Sequence, residues 1–190
     1  MGFILDGTNI TLLHGPRKPE LRYVLAIAHY LFIRAGTRLI NQLDTQLDTQ
    51  SGNQQVDNPH ANKSVSVSCL FDANTGYLLE DGGAEQRSCF EKLTSQEPWA
   101  SHFRIVPSGT QADEWILDQA KRDGADVISN DRFKDRARAH RWIYKRRHGL
   151  YVTNDRLTMP SLGMSLDIHL ELPAQPEDYL PILQELLPSA

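Results

Sequence analysis

A chain of 190 residues, 40% of them hydrophobic, can build one domain with a sizeable core but has too few residues for two comfortable ones. Two cysteines, Cys69 and Cys89, without CxxC or CCCH spacing, argue against a disulfide framework or a zinc site, and no apolar run approaches the roughly 20 residues of a membrane span. The formal charge of −4 hides an asymmetry: Asp131–His148 carries eight Lys/Arg against two Asp, a local +6, which leaves twelve Lys/Arg against twenty-two Asp/Glu elsewhere, or −10.

In chain order, Phe3-Ile4-Leu5 is a short apolar run ended by Asp6-Gly7, which reads as a buried strand entering a loop. From Pro19 to Ala35 the apolar positions Leu21, Val24, Leu25, Ala28, Leu31 and Phe32 recur at helical spacing, with Gly36 as a stop. Residues 41–63 are rich in Gln, Asn, Asp and Thr and read as a flexible insertion. Val65, Val67 and Cys69 alternate with serines before Leu70-Phe71, a second strand ending at Asp72, and a helix is expected around Ala84–Leu93. Phe103–Val106 is a third strand, after which Thr110 opens a helix carrying Ile116, Leu117 and Ala120. Asp126–Ser129 is a fourth, followed by a helix beginning near Asp131. Leu150-Tyr151-Val152 reads as an edge strand, and an apolar helix is expected over Glu177–Leu187. Strands separated by helices predict an α/β, three-layer domain: a central parallel sheet with helices on both faces.

Three strands run into carboxylates: Asp6 after the first, Asp113 and Glu114 after the third, and Asp131 after the fourth, with Asp135 one helical turn on. In an open parallel sheet the carboxyl ends of the strands line a common crevice, so these acids can converge. Asp131 and Asp135, spaced i,i+4, would share a helix face. Carboxylates forced together repel and point to a cation, and oxygen-only donors suit Mg²⁺ or Mn²⁺ rather than Zn²⁺. Each acid also has a structural role open to it: Asp6-Gly7 as a turn, Thr110-x-x-Asp113 as a capping box, Asn130 or Asp131 as a helix cap.

Ile4-Leu5-Asp6-Gly7-Thr8-Asn9-Ile10 resembles the opening motif of NYN domains in the PIN-like nuclease superfamily, and Val127–Asp135, reading VISNDRFKD, resembles their second motif. Gly109–Glu114 is similar to the loop that carries their acidic pair, and the likeness extends through Leu150–Asp155 and Pro160–Gly163, nearest to the Regnase-type ribonuclease domain of CCCH-zinc-finger proteins. The resemblance implies a PIN-like (Rossmann-like) fold over residues 1–170, followed by a C-terminal helical extension over 171–190. It implies that Asp6, Asp113, Asp131 and Asp135 hold one Mg²⁺ or Mn²⁺, with Glu114 assisting and Asn9 and Thr8 supporting the centre or the scissile phosphate. The implied activity is endonucleolytic hydrolysis of single-stranded or loop RNA by attack of metal-activated water on phosphorus. Three features depart from the family: the acidic pair is Asp113-Glu114, with a longer second carboxylate; no CCCH finger is present; and 41–63 has no recognised counterpart.

The basic strip supplies the expected RNA contacts, Arg132, Lys134, Arg138, Arg141, Lys145, Arg146 and Arg147, with Trp142 and Tyr144 as rings on which bases can stack. The competing reading makes Trp142 and Ile143 the buried face of a helix whose charges are merely solvated. Trp115 is expected in the core, and His14 as a plain loop histidine. Two other functions stay open: an inactive NYN-fold module that only binds RNA, and a haloacid-dehalogenase-like phosphatase, for which Asp72 is suggestive but Asn74 stands where a second Asp is wanted. The expected setting is soluble and cytoplasmic, with RNA as partner, no membrane, and a homodimer left open. Met1-Gly2 lacks the Ser or Thr at position 6 that myristoylation prefers.

Overall fold

The computed structural model describes residues 2–34, 66–136, 138–169 and 171–187; the 41–63 segment lies outside them. Five parallel strands form the central sheet in the order β3-β2-β1-β4-β5: β1 is Gly2–Asp6, β2 Ser66–Phe71, β3 Phe103–Ile105, β4 Asp126–Ile128 and β5 Arg147–His148. Helices α1 (Gly7–Thr11) and α2 (residues 21–34) follow β1. Helices α3 (Thr75–Glu80) and α4 (Ala84–Ser95) join β2 to β3, α5 (Ala112–Asp123) joins β3 to β4, and α6 (Ile143–Arg146) precedes β5.

Side-chain alternation along the strands sorts the core into two faces. Phe3, Leu5, Val67, Cys69, Phe71 and Ile128 pack with α2 and α4, whereas Ile4, Leu70 and Val127 pack with Ile116, Leu117 and Ala120 of α5 and Ile143 of α6. A strand covered on both sides reads as an apolar run, as β1 does through Leu5, and all five of its residues, the terminal Asp6 included, are buried. Helix α5 ends where Gly124 takes φ +62°, a left-handed C-cap that glycine adopts without steric cost.

A second sheet is antiparallel, in the order β6-β7-β8: Tyr151–Thr153, Arg156–Met159 and Met164–Asp167. Its buried Leu157, Met159 and Met164 join the α2 face of the core, as do Tyr179, Leu180 and Leu183 of helix α7 (Tyr179–Leu186). Among the described residues no helix is long and apolar enough to cross a membrane.

Several expectations need correction. Asp6-Gly7 is no loop: β1 passes directly into α1, with Asp6 as its N-cap. Thr110 does not open a helix; Gln111 is the N-cap of α5, and the Thr110 hydroxyl donates to the Pro107 carbonyl at 2.5 Å, so the capping box does not form. No helix begins near Asp131, so Asp131 and Asp135 share no helix face. There Phe133 takes φ +49°, a left-handed value foreign to an α-helix, held by burial of its ring in the α5 face and by its N–H donating to Asp131 Oδ1 at 2.6 Å. Tyr151–Thr153 borders the small sheet rather than the main one, whose actual edge beyond β4 is the two-residue β5.

Candidate active site at the carboxyl end of the parallel sheet

The strand order reverses between β1 and β4, because the chain runs outward from β1 to β2 and β3, then returns to the other side of β1. Such a switch point opens a crevice beyond the carboxyl ends of the strands. Asp6 ends β1, Asp72 follows β2, Asp113 sits in the first turn of α5 after β3, and Ser129-Asn130-Asp131 follows β4.

Asp6 is only 5% exposed. Its Oδ1 accepts from the Asn9 backbone N–H at 3.2 Å and its Oδ2 from the Ser129 hydroxyl at 2.7 Å. Burial, with smaller contributions from the negative charges of Asp113 and Asp72, nevertheless pushes its pKa up to about 7. Asp113, half-buried, is also shifted upward, by burial first and then by Asp131, Asp72 and Asp135, with Arg136 opposing. The negative charges of Asp131, Asp72 and Asp135 thus add to burial in raising Asp113, and those of Asp113 and Asp72 add to burial in raising Asp6.

Hydrogen bonds fix this corner. Asn130 N–H donates to Asn9 Oδ1 at 2.9 Å, and Leu150 N–H donates to Asn130 Oδ1 at 2.9 Å. The Ser129 hydroxyl, donating to Asp6, also accepts from the Asp131 N–H at 2.9 Å. Asp131 is exposed and bonds the Phe133 N–H, a local turn and not a helix cap. Asn9 therefore locks the β1 end to the β4 loop. Thr8 is buried; its hydroxyl accepts from the Asp72 N–H at 2.8 Å and pairs with the Thr75 hydroxyl at 2.7 Å, so it supports the loop after β2.

The other expected residues are dispersed around this corner. Glu114 turns to Arg136, 3.8 Å away, and with Asp135, Arg138 and His140 the pair lines a cleft of about 310 Å³. Arg146 is tied to Asp126 at 2.8 Å and bonds the Gly124 carbonyl, which leaves its charge compensated. Among the described residues Arg147 bonds a neutral group, the Ser129 carbonyl at 2.7 Å, and has no ion pair. Arg132, Lys134, Arg138, Arg141 and Lys145 are exposed, with no ion pair among the described residues. Of the candidate stacking rings, Tyr144 is exposed, while Trp142 is half-buried against the α5 face with Arg146 over its ring. Trp115, expected in the core, is 43% exposed. His14 pairs with the Tyr23 hydroxyl at 2.8 Å.

Sequence reasoning placed Asp72 at a strand end but not in the acid group, and it passed over Ser129 and Tyr151. The signal for Ser129 was available, since it directly precedes Asn130-Asp131 at the end of an apolar strand. Among the described residues no three His, Cys, Asp or Glu side chains gather closely enough to form a metal cage by themselves. The donors do suit a cation that needs few protein ligands: all are carboxylates, and buried Asp6 has no positive partner among the described residues. Mg²⁺ is commonly held in this way, by one or two carboxylates plus water and substrate phosphate. No family model matches the chain, and no curated protein sequence matches it significantly.

Proposed function

We propose that the chain is a metal-dependent endoribonuclease with a PIN-like fold, hydrolysing phosphodiester bonds of single-stranded or loop RNA. The observation that carries this reading is the placement of Asp6, Asp72, Asp113 and Asp131 beyond the carboxyl ends of the strands at the sheet's switch point, with Asp6 buried and, among the described residues, paired with no cation. The motif resemblance described above supports the same reading.

Asp6 and Asp113 would hold Mg²⁺ or Mn²⁺, with Asp131 and Asp135 contributing through water. The bound ion supplies Lewis-acid neutralisation of charge developing on the phosphate. The chain's own residues orient and balance the site. Ser129 fixes the Asp6 carboxylate and the Asp131 backbone together, so these two acids keep their spacing. Asn9 holds Asn130, and through it the loop carrying Asp131. Glu114, paired with Arg136, sits at the margin and assists by setting the position of that guanidinium. The uncompensated cations Arg132 and Arg147 offset phosphate charge next to the acids.

The test is cleavage of a labelled single-stranded RNA in Mg²⁺, in Mn²⁺ and in EDTA. Cleavage is expected with either ion and should vanish in EDTA; full cleavage in EDTA contradicts the mechanism. An RNA-binding module would bind the same RNA under all three conditions and never cut it.

A further inference from the structure

We propose that the cleft between the end of β4, β5 and the small antiparallel sheet is a nucleotide subsite, which takes one residue of single-stranded RNA beside the scissile phosphate. The proposal rests on the ribonuclease reading and specifies where its substrate lies. The cleft measures about 520 Å³ and is lined by Asn130, Arg132, Arg147, Tyr151, Pro160 and Ser161 among others, with no carboxylate in its wall. A small-ligand site typically occupies roughly 300–1,000 Å³.

Three features select a nucleotide. The first is charge. On a chain of net −4, this wall holds two guanidiniums and no acid. Arg147 is anchored only through a neutral carbonyl and Arg132 has no ion pair among the described residues, so both charges remain available to phosphate.

The second is a ring. Tyr151 is 49% exposed although its neighbour Val152 packs on the core, because successive side chains on a strand face opposite ways. Strand β6 therefore presents an aromatic side chain to the cleft wall. A tyrosine on a strand is a rigid platform, and base stacking on it tolerates any base.

The third is position. Asn130 lines the cleft, its N–H donates to Asn9 Oδ1, and its Oδ1 accepts from Leu150 N–H, the residue before Tyr151. Asn9 in turn donates its N–H to Asp6. A short path of hydrogen bonds thus connects the cleft to the acid group, and Asp131 directly follows Asn130. An acidic peptide would satisfy the arginines but has no base for the ring.

The test is equilibrium binding of a fluorescent single-stranded RNA heptamer in EDTA, where no cutting is expected, across a salt series. Tyr151→Ala should weaken binding by about 5- to 150-fold, the loss of one stacked base, with an unchanged salt slope and an unchanged Tm. Tyr151→Phe should bind like wild type, whereas Tyr151→Leu should not. Arg132→Ala should lower the salt slope by about one unit. One abasic position in the heptamer should weaken binding to wild type and cause no further loss with Tyr151→Ala. The subsite is overturned if Tyr151→Ala binds within twofold of wild type, if every abasic heptamer binds equally, or if hepta-glutamate competes as well as the RNA. These outcomes are independent of cleavage: Tyr151-dependent binding without cutting in Mg²⁺ supports the subsite and sinks the nuclease reading, and cutting without Tyr151 dependence does the reverse.

Discussion

Asp6 is held against its own ionisation. An aspartate free in water titrates near 3.8, and here burial raises that to about 7. As pH rises from about 4 to about 7 the unfolded chain releases the Asp6 proton while the folded chain keeps it, so folding loses stability across that window and levels off above it. Replacing Asp6 by Asn keeps an oxygen for the Asn9 N–H and removes the titration. In EDTA, the unfolding free energy of Asp6→Asn should therefore gain on that of wild type from pH 4.5 to pH 8, by on the order of a few kcal/mol, whatever constant offset the lost Ser129 bond imposes. A difference independent of pH would show that Asp6 ionises normally. The sequence could identify Asp6 as an acid at a strand end, yet not its state. Burial sets it, with the Ser129 hydroxyl opposing and the Asp113 charge adding to it, and both of these lie more than a hundred residues away in the chain, so that only the fold brings them close.

The first two elements show how one motif serves packing and chemistry together. Asp6 caps α1 and Gly7 begins it, and a Cβ on Gly7 would stand 2.4 Å from the Phe71 ring and 2.7 Å from Cys69 Sγ. The helix can turn away from β1 so abruptly only because position 7 has no side chain, while neither the ring nor the thiol has room to retreat in a core this dense. Gly7→Ala should cost about 1–3 kcal/mol of stability, read from urea unfolding as a lower midpoint with an unchanged m-value. An unperturbed midpoint would mean that β2 yields easily. The glycine was visible in the sequence as a turn signal, but its actual constraint is a close approach to a strand some sixty residues on. The stretch after β4 misled in the opposite way. A helix was expected to begin near Asp131 and to set Asp131 and Asp135 on one face, whereas the buried Phe133 ring and the bond of its N–H to Asp131 impose a left-handed residue that breaks one.

At the scale of the molecule, the alternation of apolar runs with helical segments was enough to anticipate a parallel sheet covered on both faces, with Asp6, Asp72 and Asp131 near the ends of its strands. It anticipated β6 as an edge strand but not β5, β7 or β8. Those strands are two to four residues long, so the alternation present in Arg-Leu-Thr-Met and Met-Ser-Leu-Asp is too brief to mark a strand, and tertiary pairing defines them. Their arrangement sets Arg132, Arg147 and Tyr151 beside the acidic corner, a concentration of positive charge next to negative charge within an acidic protein. Metal-assisted cleavage at this corner, as proposed, would depend on Asp131. Its side chain is exposed and its one described structural duty is to accept the Phe133 N–H, which an asparagine oxygen does equally well. On one preparation of Asp131→Asn, RNA cleavage in Mg²⁺, thermal melting and RNA affinity should be measured together. Cleavage is expected to fall by about a hundredfold or more, since a metal contributes several kcal/mol and each 1.36 kcal/mol is tenfold in rate, while Tm and affinity hold. Cleavage at the wild-type rate would reduce Asp131 to a turn residue and contradict the site.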